Sequence, residues 1–122
     1  ENLYAKHSIG YDDLRSYFYG FSIWNDKNEC LSWNDTTFFF SALGIHPVQV
    51  IYQGKFDESL MKRIHEKLDF EKNEGYVLRL ADNFKYSEFR KYVGKFVRKN
   101  HVQTTKHWLH GQEMVVNTCK NY

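Results

Sequence analysis

The stretch Glu74-Gly75-Tyr76-Val77-Leu78-Arg79 constrains this chain more than any other. Tyr76, Leu78 and Leu80 alternate with Val77 and Arg79, the period of an extended strand, and an acid followed by glycine opens it. A carboxylate is thereby set at a strand mouth. About twenty residues later, the run Gly94-Lys95-Phe96-Val97-Arg98-Lys99-Asn100-His101 predicts a second short strand, with Lys95, Val97 and Lys99 on one face and Phe96 and Arg98 on the other. One acid and several cations in this arrangement suit a metal-bound phosphate. A solvated sheet edge would carry the same residue types.

The 122 residues suit one domain with a real core, and an aromatic content of 18% with a single proline argues against disorder. Formal charge is only +2, but Lys85, Arg90, Lys91, Lys95, Arg98, Lys99, Lys106 and Lys120 all fall in the last third. A phosphate-bearing partner would meet that third. An ordinary lysine-rich surface is the rival reading. Cys30 and Cys119 are too few and too far apart for a disulfide framework or a zinc site, so both are read as reduced thiols of a cytoplasmic protein. No apolar run is long enough for a membrane span, and the start does not resemble a signal peptide.

Tyr17 to Trp24 predicts a strand with Tyr17, Tyr19, Phe21 and Ile23 on one face and the small Gly20 and Ser22 opening the other to close approach. Asn25 to Asn28 is a turn, and Cys30 to Trp33 returns as a hairpin partner. Ser32 with Asp35 three residues on starts a helix, Trp33 to Leu43, that stops at Gly44 and is expected to bury Phe39, Phe40 and Leu43. Val48, Val50 and Tyr52 predict a strand ending at Gly54. Asp57 caps a second helix, Glu58 to Lys67, with an apolar stripe of Leu60, Ile64 and Leu68. Tyr86 to Tyr92 reads as a short helix packing Phe89 and Val93, and the tail after His101 has no assignable pattern. The sum is a single α+β unit, mostly antiparallel sheet with inserted helices.

In order, Glu1-Asn2-Leu3-Tyr4-Ala5-Lys6-His7, Ser16-Tyr17-Phe18-Tyr19-Gly20-Phe21-Ser22-Ile23, Glu74 to Arg79 and Lys95 to Thr104 resemble the motifs of ATP-dependent RNA ligases. These belong to the nucleotidyltransferase superfamily with DNA ligases and mRNA capping enzymes. The resemblance implies a partial ligase adenylation domain, its C-terminal part. It implies ATP with Mg2+ or Mn2+ as cofactors, and RNA with 5′-phosphate and 3′-hydroxyl ends as the partner.

By the same resemblance, Glu1 binds the ribose hydroxyls, Phe21 stacks on adenine, Glu74 is the catalytic and metal-binding glutamate, and Lys95 with Arg98 or Lys99 contacts the α-phosphate. Two departures stand out. Ser22 replaces the aspartate that usually follows the stacking ring, and Val97 stands where the last motif usually repeats lysine, so all three cations are named.

The family's chemistry starts with a lysine in Lys-x-Asp-Gly that attacks the α-phosphate of ATP. This chain has no such string. The nearest, Lys55-Phe56-Asp57-Glu58, follows the aromatic strand instead of preceding it and has Glu for Gly, so Asp57 is read as a helix cap and the nucleophile is expected upstream of Glu1. Rival readings place Phe21 in the core, pair Glu74 with a lysine at a strand edge, and make His101, His107 and His110 a metal site that no nearby cysteine supports. In function, the alternative to a ligase fragment is a non-catalytic nucleotide- or RNA-binding module of the same fold.

Overall fold

The computed structural model describes residues 1–99 and 115–120. The three histidines and the end of the basic run beyond Lys99 lie outside them. Two helices form where local signals demand them. α1 spans Trp33–Leu43, with Ser32 accepting a hydrogen bond from the Asp35 amide and Gly44 closing the helix at φ 69°. α2 spans Glu58–Lys67, with the Asp57 carboxylate accepting from the Leu60 amide at 3.0 Å. Each cap supplies an acceptor to an amide that has no partner inside its helix.

The buried face of α1 differs from expectation. Phe40 is buried with Thr36 one turn before it, whereas Phe39 and Leu43 are exposed. Residues four apart share a helix face, so the Thr36–Phe40 face meets the body and the Phe39–Leu43 stripe beside it does not. On α2, Leu60, Ile64 and Leu68 are half-buried, as an amphipathic surface helix requires.

Among the described residues, three small ladders complete the α+β architecture. β1 (Tyr19–Gly20) runs parallel to β3 (His46–Pro47), β2 (Glu29–Cys30) antiparallel to β5 (Phe84–Lys85), and β4 (Gly75–Arg79) antiparallel to β6 (Val93–Val97). A 3-10 turn, Tyr86–Glu88, and a single helical turn, α3 (Phe89–Tyr92), lie between β5 and β6. Phe89 is exposed and Val93 begins β6. No described helix is long and apolar enough to cross a membrane.

The expected strand Tyr17 to Trp24 shortens to β1 because its partner changes along its length. The Tyr17 carbonyl and Tyr19 amide bond Leu3 and Glu1, β1 continues on His46 and Pro47, and the Ile23 carbonyl takes the Leu31 amide at 2.9 Å. That last bond, with the Trp24–Cys30 bridge, makes the hairpin around the Asn25–Asn28 turn. The expected strand from Val48 to Gly54 does not form. The Val48 amide makes the last bond to the Gly20 carbonyl, beyond which Val50 and Ile51 are exposed without a ladder partner. Gly20 itself is needed: a Cβ there would enter the ring of Phe40.

The C-terminal segment, unassignable by pattern, is bound to the start of the chain. The Lys6 amide bonds the Val115 carbonyl, the Asn117 amide bonds the Tyr4 carbonyl, and the Thr118 amide bonds the Tyr11 carbonyl. Asn117, 3% exposed, also bonds through its side chain, giving Nδ2 to the Leu3 carbonyl and accepting the Tyr11 amide at Oδ1, both at 2.8 Å. Asn117→Ala removes the side-chain partner of three backbone groups, the Tyr11 amide and the Leu3 and Ala5 carbonyls, and is expected to lower stability by on the order of 3 kcal/mol. Chemical denaturation beside Thr118→Ala, whose backbone bonds survive substitution, checks this.

Candidate functional site

Glu74 sits immediately before β4, and the ladder register decides what it meets. Gly75 pairs with Val97 and Tyr76 with Phe96, so Glu74 lies across from Arg98, whose amide donates to the Glu74 carbonyl at 2.8 Å. A Cβ on residue 75 would run into the Phe96 carbonyl oxygen. The glycine after the glutamate is therefore a steric condition for the strand pair. The Glu74 carboxylate accepts the Ile9 amide at 3.3 Å, and the Arg98 guanidinium donates to the Phe70 carbonyl at 3.0 Å and the Ser8 hydroxyl at 2.9 Å.

The loop Ser8–Tyr11 is thus laid over the strand mouth, held by Arg98 at one residue and by Glu74 at the next. Burial pushes the Tyr11 phenol up from its ordinary pKa, the charges of Glu74 and Glu1 push it the same way, and Arg98 opposes them. Glu1, Glu74 and Arg98 all bear electrostatically on this one phenol.

Lys95 is not in that group. It pairs with Val77, and strand alternation sends its side chain to the face opposite the Tyr76–Phe96 pair, whose rings stack at 5.4 Å. Lys95 and Lys99 are both exposed. Of the three cations expected near the phosphate, the structure brings Arg98 to Glu74 and sets Lys95 on the other side of the ladder. Behind the Tyr76–Phe96 face, His65 packs edge-on against Phe96 at 4.7 Å and bonds the Tyr76 hydroxyl at 3.1 Å, which ties α2 to the strand pair.

A cleft of about 400 Å³ opens between β1 and α1, within the range of small-molecule sites. Glu1 and Phe21 both line it, with Phe40, Leu43 and Ile45 among its apolar walls. The Phe21 ring is 55% exposed, so it is not a core residue, and Ser22 beside it is also at the cleft. Asp57, in the string nearest to Lys-x-Asp-Gly, is occupied as the α2 cap. Among the described residues, no group of three or more His, Cys, Asp or Glu is placed to hold a metal.

Residues 1–97, from Glu1 through the end of β6, match the family model described as RNA ligase. The chain belongs to the RNA ligase family. Searches of curated proteins and of solved structures gave no match. The family match covers Glu1, Phe21, Glu74 and Lys95, and ends one residue before Arg98.

Ser8, Ile9, Tyr11 and Asn117 complete the site's frame and were not legible as part of it. Their segment has no strand or helix period, and their partners lie 65 to 106 residues away for Ile9 with Glu74 and Tyr11 with Asn117. Arg98→Lys cannot reproduce the two-pronged bonding to Phe70 and Ser8 and is expected to reduce stability by roughly 2 kcal/mol. Lys95→Ala should melt like the parent, and paired thermal melts read by circular dichroism check the contrast.

Proposed function

We propose that this chain is the nucleotide-holding part of an ATP-dependent RNA ligase, acting in adenylyl transfer and in the sealing of RNA 5′-phosphate and 3′-hydroxyl ends. The observation that carries the reading is the exposed ring of Phe21 on the wall it shares with Glu1. A flat apolar ring in a cleft suits the face of adenine, and a carboxylate beside it suits the ribose hydroxyls. Glu74 and Arg98 stand at the phosphate end in this reading. Glu74 would offer a hard carboxylate oxygen to Mg2+ or Mn2+, and Arg98 would add compensating positive charge. Such a cation would neutralise charge on the reacting phosphate. Lys95 and Lys99, exposed on the far side of the ladder and beyond it, are left to phosphates of the RNA.

The reaction begins when a lysine amine attacks the α-phosphorus of ATP and pyrophosphate departs. The adenylyl group then passes to a 5′-phosphate, and a 3′-hydroxyl displaces AMP to form the phosphodiester. Since the 122 residues contain no Lys-x-Asp-Gly, the attacking amine in this proposal is supplied from outside them.

Two measurements test the reading. Incubated with labelled ATP and Mg2+, the chain is expected to form no covalent adenylate, because preorganised charges do not replace the nucleophile. Label mapped to Lys55 would overturn that assignment. In AMP titrations by calorimetry, Phe21→Leu is expected to weaken binding roughly ten-fold, about 1.4 kcal/mol. Its melting temperature should stay near the parent's, since Leu retains most of the apolar volume. Unchanged affinity with a lowered melting temperature would remove Phe21 from the nucleotide site.

A further inference from the structure

Away from the cleft, the segment from the end of β5 to β6 presents exposed rings among exposed cations, of which Lys91 lies over the Tyr92 ring at 5.1 Å. Trp24 is the centre of the arrangement. Buried Phe84 meets it edge-on at 5.7 Å, and on the solvent side Tyr86 and Phe89 lie 5.8 and 6.3 Å from it. Tyr86 is 59% exposed and Phe89 40% exposed, with 6.0 Å between their rings. The rings are thus rigidly backed and open in front.

The charges around them are net positive. Lys85, Arg90 and Lys91 are exposed, and none forms an ion pair among the described residues. Glu88 is the acid in the same turn. Glu29, directly across the ladder from Lys85, instead accepts from the Asn25 side chain at 3.4 Å. With Glu88 in the turn and Glu29 across the ladder, three cations face two carboxylates.

We infer that the Tyr86–Phe89 face, flanked by Lys85, Arg90 and Lys91, is a docking platform for single-stranded RNA, separate from the nucleotide cleft. Every base has a face that stacks on an exposed aromatic ring regardless of sequence, and the flanking cations match the spaced negative charge of the backbone. Neither feature alone selects a polyanion with flat groups; the two together do. The inference rests on the RNA-ligase reading for its choice of RNA, and it adds a place where the strand being sealed is held outside the catalytic cleft.

The test uses the full 122-residue chain and a fluorescent, 5′-phosphorylated single-stranded RNA of roughly twelve nucleotides, within the range that one such surface spans. Binding is read by anisotropy across a salt series. Tyr86→Phe keeps the ring and is expected to bind as the parent does, whereas Tyr86→Leu should bind roughly ten-fold more weakly. Arg90→Glu with Lys91→Glu should weaken binding and flatten the salt dependence by roughly two phosphate contacts. Lys62→Glu on α2 should change neither quantity.

Equal binding by the Leu and Phe variants, or parental affinity and salt slope in the double charge reversal, would overturn the platform. So would self-association of the chain that Tyr86→Leu abolishes while RNA binding stays intact, since the face would then belong to a second copy. AMP titration of the same preparations separates this inference from the nucleotide reading. A parent chain that binds AMP but no RNA sinks the platform alone, and one that binds RNA through Tyr86 but no AMP sinks the cleft assignment alone.

Discussion

The antiparallel register of β4 and β6 is the constraint on which the rest of the site depends. Its five pairs, from Gly75 with Val97 to Arg79 with Val93, form the longest ladder among the described residues. A shift of one residue would turn Glu74 to the opposite face and away from Arg98. It would also break the stacked Tyr76–Phe96 pair that receives His65 from α2. Gly75 locks this register sterically, because only a residue without a side chain lets the Phe96 carbonyl come so near. One ladder therefore sets the acid, the cation and the seat of a helix together.

The other end of β4 is secured by polar contacts. Arg79 gives Nε to the Leu80 carbonyl, Nη1 to the Cys30 sulfur and Nη2 to the Leu31 carbonyl, and its guanidinium lies 5.3 Å from the Phe84 ring. The Trp33 amide, free at the start of α1, takes the Ala81 carbonyl at 2.8 Å. Among the described residues the buried apolar set is small, comprising Ala5, Ile9, Leu14, Cys30, Phe40 and Phe84. In such a chain, long-range hydrogen bonds such as those of Arg79, Arg98 and Asn117 carry the relative placement of segments that a larger core would otherwise hold by packing.

What could be read from the sequence divides along sequence distance. Both long helices were legible to the residue, because Ser32, Gly44 and Asp57 act on amides and carbonyls within a few positions. β4 and β6 were legible as strands, and so was the alternation that puts Lys95 opposite to Phe96 and Arg98. The meaning of that alternation was not. Only the register reveals that Glu74 shares its face with Arg98 and that Lys95 belongs to the other. Periodicity likewise suggested strands at Tyr17 to Trp24 and Val48 to Gly54, but a strand exists only where a partner supplies a ladder, and those partners are non-local. Alternation also leaned toward a core Phe21, whereas the ring stands at a cleft because Gly20, facing the other way, takes the contact with Phe40. The family order of motifs was legible without any of this, since it needs spacing and not contacts.

The Arg79 contacts have a chemical consequence for the two thiols. Cys30 and Cys119 are both free, but Cys30 is 1% exposed and Cys119 is partly accessible. Burial pushes the Cys30 thiol up from its ordinary pKa, and the nearby Arg79 guanidinium only partly offsets that, so the reactive thiolate is scarce as well as hidden. An alkylating reagent meets Cys119 in the folded chain and meets Cys30 only when the Arg79 hub lets go of Leu31 and the hairpin lifts from β5. The second thiol is in effect a built-in clock for the opening of one end of β4, readable by mass without any added probe.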